Sequence, residues 1–159
     1  MEEKLSHIKD GEAHMVNVGH KEVTRRTAVA RCIVTFPQDV WDRLKEDGFS
    51  GKKGPILHTA KIAGIQASKR VDELIPLCHT LPLDSCEISF KEHAPSLHIY
   101  VQCEVHSKTG VEMEALTAAN ICALTVYDMC KALSHDIRIT ACELMSKTGG
   151  KRTFHREEA

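Results

Sequence analysis

The sequence predicts an α+β fold, a ferredoxin-like β-α-β-β-α-β sandwich with one extra helix and an antiparallel sheet that carries its helices on one face. The first observation behind this prediction is that four segments alternate apolar and polar residues as half-buried strands do. The second is that segments with helical spacing separate the first strand from the second and the third from the fourth. The third is size, because 159 residues with 42% apolar side chains suit about one domain with its own core.

Proline residues and short connections mark the boundaries of several predicted elements. They are a strand at 27–36, a helix opening at Pro37, a helix at 55–71, strands at 85–92 and 97–106, a helix at 110–134 and a strand near 136–146. Pro37 ends the first strand and suits the first turn of a helix. The two middle strands are close enough in sequence to form an antiparallel hairpin. Residues 1–13 and 153–159 are polar and are predicted to be flexible.

Helices on one face leave the other face of the predicted sheet uncovered. Apolar residues occur on both sides of the predicted strands. Because exposed apolar faces and open strand edges favour association, we expect copies of this chain to cover them.

The predicted helix at 110–134 is apolar almost all round and yet contains ionisable residues. A helix of this kind is usually covered on every side. At about 100° per residue, Glu114, Asp128 and Lys131 fall on one stripe, which is typical of one wall of a polar cleft. Two structural explanations stay open. Asp128 and Lys131 could form a simple ion pair, and Thr109 with Glu112 fits a capping box that starts the helix.

The composition argues against several classes of function. A net charge of −1 and 4% aromatic residues do not favour a nucleic-acid-binding surface. The seven cysteines and ten histidines show no spacing typical of a zinc site, so no metal site is expected and the thiols are predicted to be reduced. No run of about 18 apolar residues and no secretory segment occurs, which predicts a cytoplasmic protein without a membrane span, or an organellar one if it belongs to a longer polypeptide.

Cations concentrate in three local segments. Lys21, Arg25, Arg26 and Arg31 lie around the start of the first strand, Lys52 and Lys53 lie in the glycine-rich loop before the second helix, and the tail from Lys147 to Arg156 is basic and glycine-hinged. Each segment could hold an anionic ligand, since cations and the N-terminal ends of helices suit phosphate. Each could equally be a solvated surface, and the residues alone leave both possibilities open.

Two prolines enclose a short turn that contains a cysteine and a histidine. Pro76 and Pro82 disfavour a helix between them and hold Cys78 and His79 in place. Ligand binding by His79 is the favoured interpretation. A nucleophilic Cys78 with His79 as its base stays open, although adjacent side chains diverge, and so does an ordinary buried turn.

Four stretches together match a known family in order. They are MVNVGHKEVTRRTAVA, KGPILHTAKIAGIQASKRVDELIPLCHTLPL, TGVEMEALTAANICALTVYDMCKAL and SKTGGKR. The chain resembles the MoaC family, the cyclic pyranopterin monophosphate synthases of molybdenum cofactor biosynthesis, across one expected domain at 14–152. The resemblance implies a lyase that converts 3′,8-cyclo-7,8-dihydro-GTP, supplied by an upstream radical enzyme, to cyclic pyranopterin monophosphate and pyrophosphate. It also implies a homohexamer, a trimer of dimers, with sites at subunit interfaces.

The resemblance implies the site residues as well. Lys53, Asp128 and Lys131 would be catalytic, and the substrate would be bound by Lys21, Arg26, Leu77, Cys78, His79, Glu112, Met113, Glu114, Lys147 and Lys151. Two residues depart from the family pattern, which usually has Asp where Asn17 stands and Pro where Thr80 stands. The first change could alter a cap, an interface contact or the site, and the second is expected to loosen the turn that aims His79.

The implied reaction opens and recloses a purine-derived ring and displaces pyrophosphate by a sugar hydroxyl. Such steps need acid-base groups with contrasting pKa values, and cations at the phosphates. We expect Lys53 and Lys131 to act on the ring and the phosphates, with Asp128 opposing the effect of burial on the pKa of Lys131. Glu112 and Glu114 suit the N–H edge of the ring. No redox cofactor is required, Mg²⁺ could accompany the triphosphate, and a non-catalytic carrier of the nucleotide stays open as the alternative.

Overall fold

The computed structural model describes residues 5–158, and its long elements follow the predicted order. The strands are β1 (Ile8–Lys9), β2 (Glu12–Ala13), β3 (Thr24–Thr35), β4 (Ser50–Gly51), β5 (Gly54–Pro55), β6 (Ser85–His93), β7 (Ser96–Ser107), β8 (Arg138–Thr148) and β9 (Phe154–His155), and the helices are α1 (Gln38–Glu46), α2 (Ile56–Ser68), α3 (Val71–Leu74) and α4 (Glu112–Cys130).

Five antiparallel strands form the main sheet in the order β6-β7-β3-β8-β9. β3 pairs with β7 from Thr24 opposite Ser107 to Thr35 opposite Ser96. α4 packs against β3, β7 and β8, while α2 packs against β6 and α4. The four long strands with these two helices have the ferredoxin-like arrangement, so the predicted fold class is confirmed.

Alternate residues of the central strands face the helices and form the core. Those that are fully buried include Ala28, Ala30, Cys32 and Val34 of β3 and Ile99, Val101, Cys103 and Val105 of β7. The residues between them, such as Arg31 and Tyr100, lie on the opposite face of the sheet. There the carboxylate of Glu158 accepts a hydrogen bond from Tyr100 Oη at 2.8 Å. The C-terminal segment therefore covers part of the face that the helices leave open.

The helix that follows Pro37 closes one end of the core. Trp41 of α1 lies between Phe36 and Phe49, with ring centroids 5.8 Å and 5.7 Å away. Aromatic pairs at such tilted angles pack well and add to the burial of apolar surface. Val40, Trp41 and Leu44 are buried and form the apolar face by which α1 packs on the core.

The predicted capping box at the start of α4 is wrong. The helix begins at Glu112, its N-cap residue is Val111, and no side chain caps it. Thr109 therefore lies too far from the helix to cap it. The carboxylate of Glu112 instead accepts a hydrogen bond from Lys147.

The stretches predicted to be flexible contain short strands within the described residues. β1 and β2 form an exposed hairpin, and β9 pairs with the end of β8. In that part of the chain which the structure describes, no helix is long and apolar enough to cross a membrane.

Candidate active site

The N-terminal end of α4 borders two adjoining cavities of about 370 Å³ and about 410 Å³. Lys21, Thr109, Gly110 and Glu112 line both cavities, which together form the N-end cleft. The cleft is lined by every residue predicted to bind the substrate, namely Lys21, Arg26, Leu77, Cys78, His79, Glu112, Met113, Glu114, Lys147 and Lys151. The structure thus brings together residues from four separate parts of the chain.

Glu114 is the buried carboxyl group of the N-end cleft. It is only 4% exposed, although the first turns of α4 border the cavity. Burial raises the pKa of Glu114 to about 7, and the nearby charges of Glu112 and Asp72 act in the same direction. Because a carboxyl group with a pKa near neutrality can both give and accept a proton, Glu114 is the strongest acid-base candidate in the cleft.

The backbone of the N-terminal segment holds His79 in place. His79 Nε2 lies 2.8 Å from the carbonyl oxygen of Val16. Since a carbonyl oxygen only accepts, Nε2 carries the proton and donates, and Nδ1 of the neutral ring is an acceptor. Beside it, burial and the charges of Glu114 and Asp72 raise the pKa of the Cys78 thiol. A raised thiol pKa disfavours the thiolate and so argues against a nucleophilic Cys78.

The second part of the N-end cleft has a cationic wall. Lys147 Nζ donates to Glu112 Oε1 at 2.7 Å, which ties the end of β8 to the start of α4. The guanidinium of Arg26 donates to the carbonyl oxygens of Ser107 at 3.3 Å and Lys108 at 3.2 Å. These bonds fix both cations at the edge of the cavity, where positive charge suits phosphate oxygens.

The basic segment at the start of β3 divides between the cleft and the surface. Lys21 and Arg26 line the N-end cleft. Arg25 and Arg31 instead form ion pairs with glutamates of β7 and β8. Two of these four cations therefore form ion pairs within the sheet and do not line the cleft.

The three residues predicted to be catalytic meet at the other end of α4. Lys131 Nζ donates to Asp128 Oδ1 at 2.7 Å, and Lys53 Nζ donates to Asp128 Oδ2 at 3.1 Å. These residues form the C-end cluster and line a cavity of about 750 Å³. Their side chains are between 49% and 62% exposed. A ligand can therefore reach the cluster from solvent.

Asp128 and Lys131 shift each other's pKa in opposite directions. The hydrogen bonds from Lys131 and Lys53 lower the pKa of Asp128. The hydrogen bond with Asp128 raises the pKa of Lys131. Burial lowers this pKa, as predicted, but its effect is weaker. Asp128 dominates because the Lys131 side chain is 52% exposed and loses little hydration.

The length of α4 separates the C-end cluster from the N-end cleft. Glu114 and Asp128 lie about 21 Å apart along the helix axis, at about 1.5 Å per residue. The polar stripe of α4 therefore borders two cavities in one chain. Within a single chain, the structure does not bring Lys53, Asp128 and Lys131 together with the predicted binding residues.

The sequence did not single out Asp72, which contacts the turn beside the N-end cleft, or Arg152, which lines the cleft. Thr80 Oγ1 donates to Asp72 Oδ2 at 2.5 Å, which links the turn between Pro76 and Pro82 to α3. Asp72 and Glu73 are adjacent acidic residues on a four-residue helix, and nothing in this local pattern signals such a role for Asp72. Arg152 lines the cationic part of the N-end cleft, and its position beside Lys151 in the basic tail could have suggested it.

Lys and Arg side chains supply the positive charge in the N-end cleft and in the cavity at the C-end cluster. Within residues 5–158, no group of three or more His, Cys, Asp or Glu side chains is arranged to hold a metal ion. Lys and Arg side chains can bind phosphate oxygens by themselves, Arg through its planar fork and Lys as a point charge.

Comparison with known proteins finds close relatives. The MoaC family matches residues 15–150 of the chain. A cyclic pyranopterin monophosphate synthase of Xanthomonas campestris pv. campestris is 50% identical over 153 residues, which cover 94% of this chain and 92% of the relative. Another, of Nitratidesulfovibrio vulgaris, is 46% identical over 157 residues, covering 97% and 96%. Molybdenum cofactor biosynthesis protein 1 of Drosophila melanogaster is 46% identical over 160 residues, which cover 98% of this chain and 28% of that longer protein.

Proposed function

The chain belongs to the MoaC family, and from this membership we propose that it converts 3′,8-cyclo-7,8-dihydro-GTP to cyclic pyranopterin monophosphate and releases pyrophosphate. It is an enzyme of molybdenum cofactor biosynthesis, since relatives of nearly the same length are named for the synthesis of cyclic pyranopterin monophosphate. Those names favour catalysis over the alternative of a carrier that only holds the nucleotide.

One observation carries this proposal, namely a buried carboxyl group and a cationic wall in the same cleft. Glu114, with its pKa near 7, supplies an acid-base group for opening and reclosing the ring. Arg26 and Lys147 border the adjoining cavity, where a triphosphate requires positive charge. A substrate with a polar ring at one end and three phosphates at the other matches this order of groups.

The remaining residues have roles that follow from their hydrogen bonds. Glu112 offers an acceptor to the N–H edge of the ring, and His79 Nδ1 offers a second acceptor, because Nε2 is occupied by a carbonyl oxygen. Asp128 raises the pKa of Lys131 and so keeps this lysine charged. A charged Lys131 is suited to stabilise developing negative charge or to donate a proton, and less suited to act as a base.

A complete site requires a second copy of the chain. Along α4, about 21 Å separates the C-end cluster from Glu114, which exceeds the reach of a lysine side chain. The helical side of the molecule also exposes apolar residues, with Leu124 of α4 53% exposed and Ile62 of α2 46% exposed. In the proposed homohexamer, the C-end cluster of one copy completes the N-end cleft of its neighbour.

Pyrophosphate release from the cyclic triphosphate tests the proposal directly. Wild-type protein should release it, whereas Lys53→Ala and Lys131→Ala should fold and assemble but lose turnover by orders of magnitude. The matched control is Lys45→Ala, because Lys45 forms an exposed ion pair outside the N-end cleft and the cavity at the C-end cluster. Tight binding of the triphosphate by wild-type protein without pyrophosphate release would support the carrier instead.

The proposal includes no resident cofactor, and Mg²⁺ enters only as a companion of the substrate triphosphate. An upstream radical enzyme supplies the substrate. A cytoplasmic location stays a prediction of the sequence.

A further inference from the structure

Two pairs of cysteines lie directly opposite each other on neighbouring strands of the main sheet. Cys86 of β6 is opposite Cys103 of β7, and Cys32 of β3 is opposite Cys142 of β8. All seven cysteines of the chain are free thiols. These four residues line neither the N-end cleft nor the cavity at the C-end cluster. The proposed function therefore makes no use of them.

The strand register brings the two thiols of each pair within reach of a disulfide bond. Directly opposed residues of an antiparallel pair point to the same face, with Cα atoms about 4.5 Å or 5.5 Å apart. Disulfides span Cα separations of about 4.4–6.8 Å. Cys86 and Cys103 therefore face each other across the pair of strands β6 and β7. Closing a disulfide between them requires little movement of the backbone.

Cys86 is the accessible and reactive member of its pair. It is half-buried on the edge strand β6, whereas Cys103 is 0% exposed. The hydrogen bond from Cys103 lowers the pKa of Cys86 to about 7, and Ser68 and Lys69 of the overlying helix region act in the same direction. A lowered pKa favours the thiolate of Cys86, which is the form that attacks disulfides.

The second pair is a less favourable target. Asn120 Nδ2 of α4 donates to Cys142 Sγ at 2.9 Å, and the Cys142 thiol contacts the carbonyl oxygen of Leu116 at 3.8 Å. Cys32 is 0% exposed in the middle of the sheet. Because α4 engages Cys142 from above, this pair is an internal comparison with the same strand geometry but poorer access.

We propose that Cys86 and Cys103 form a covalent modification site for low-molecular-weight disulfides such as oxidised glutathione. The Cys86 thiolate attacks one sulfur, the glutathione S–S bond breaks, and one glutathione leaves as a thiolate that takes up a proton. Cys103 then loses its proton and attacks the Cys86 sulfur, which releases the second glutathione. Two protein thiols are oxidised to one disulfide, and oxidised glutathione is reduced to two thiols.

The site is tested by treating the native protein with oxidised glutathione, alkylating the remaining thiols and mapping peptides by tandem mass spectrometry. Cleavage at Lys91 separates Cys86 from Cys103, and fragment ions distinguish Cys86 from Cys78. In wild-type protein, we expect the Cys86 and Cys103 peptides to be joined by a disulfide. Cys103→Ser should stop at a stable mixed disulfide on Cys86, and Cys86→Ser should give neither product.

Two further variants make the result decisive. Cys142→Ser should react as the wild type does, because it removes only the covered pair. Cys103→Ala deletes the resolving thiol without adding a buried hydroxyl, should Cys103→Ser fail to fold. It should give the same mixed disulfide on Cys86, but more slowly, because it also removes the hydrogen bond that lowers the pKa of Cys86. Unmodified Cys86 in folded wild-type protein would overturn the proposal, and so would a mixed disulfide that persists in the wild type as it does in Cys103→Ser. Since the readout is thiol mass, the result is independent of turnover.

Discussion

Glu114 and Asp128 lie on the same helix, line different cavities and have opposite pKa shifts. Burial raises the pKa of Glu114 to about 7. Hydrogen bonds from Lys131 and Lys53 lower the pKa of Asp128. One end of α4 therefore presents a group that can exchange protons near neutral pH, and the other end presents a carboxyl group whose ionised form is favoured. Contrasting pKa values of two carboxyl groups suit acid-base catalysis where a second copy of the chain brings the two ends of α4 together.

Co-assembly of two inactive variants should restore activity. Glu114→Gln damages the N-end cleft, and Lys131→Ala damages the C-end cluster. In a mixed assembly, the intact cleft of a Lys131→Ala copy meets the intact cluster of a Glu114→Gln copy. We expect pyrophosphate release to return to a substantial fraction of the wild-type rate after the two are co-refolded.

The matched control for this experiment mixes two variants of the same cluster. Lys53→Ala and Lys131→Ala should not complement each other, because every C-end cluster in their mixture lacks one lysine. If the mixture containing Glu114→Gln is no more active than this control, the site is not shared between copies.

Replacing Glu114 should change how stability depends on pH. The pKa of Glu114 rises from 4.5 to about 7 on folding, so between these values the folded protein binds more protons than the unfolded chain. The free energy of unfolding therefore falls as pH rises through this window, and the full loss of roughly 3 kcal/mol is present above it. Glu114→Gln should abolish this loss and gain stability, relative to wild type, between about pH 4.5 and 7.

Urea unfolding at fixed protein concentration measures this effect, since an oligomer's stability depends on concentration. The exposed Glu87 provides the control variant Glu87→Gln, which should follow the wild-type pH dependence. A gain from Glu114→Gln that is equal at pH values below and above the window would show that Glu114 titrates normally.

The hydrogen bond from Thr80 to Asp72 should position the turn that carries His79. Thr80→Val removes the donated hydrogen bond and should lower kcat/KM, whereas Thr80→Ser keeps the hydroxyl and should remain near wild type. Asp72→Asn removes a negative charge that helps to raise the pKa of Glu114. The acidic limb of the pH–activity profile of Asp72→Asn should therefore move to lower pH than in the wild type. A loss of activity in Asp72→Asn without this shift would mean that Asp72 acts only through the turn.

Adding one methyl group to α2 should destabilise the protein. A Cβ at Gly64 would lie 2.5 Å from Ile88 Cδ1, 3.1 Å from the Ala118 carbonyl oxygen and 3.3 Å from Cys122 Cβ. Alanine normally favours a helix over glycine by about 1 kcal/mol, but overpacking costs roughly 1–3 kcal/mol. We expect Gly64→Ala to lower the urea midpoint, and Gln66→Ala, at an exposed position of the same helix, to leave it unchanged or raise it. A higher midpoint for Gly64→Ala would show that α2 can move away from α4.

The long elements could be predicted because their patterns are local. Alternation along β3 and β7 is direct evidence of a sheet with one buried face, and it requires no knowledge of distant contacts. The start of β3 at Thr24 was missed by three residues because Thr24, Arg25 and Arg26 are polar and show no alternation. Two-residue strands such as β4 and β9 carry no pattern at all.

Several features could not be predicted because they depend on hydrogen bonds between residues that are far apart in the sequence. The capping box that Thr109 and Glu112 fit does not form, and the Glu112 carboxylate pairs with Lys147, far along the chain. The family motifs named the residues of the N-end cleft, but their spacing did not reveal that Lys53 joins Asp128 at the opposite end of α4. The bond between Thr80 and Asp72 depends on how α3 folds against the turn, which no local signal encodes.

The helix α4 fixes an angle as well as a length between its two carboxyl groups. Removing one residue from its middle would shorten the helix by only about 1.5 Å, yet it would rotate one end against the other by about 100°. Asp128 would then point away from Lys53. Lys53 could not follow this rotation, because it lies in the β4–β5 hairpin and not on α4. Insertions and deletions should therefore be far more damaging between Glu114 and Asp128 than most substitutions there.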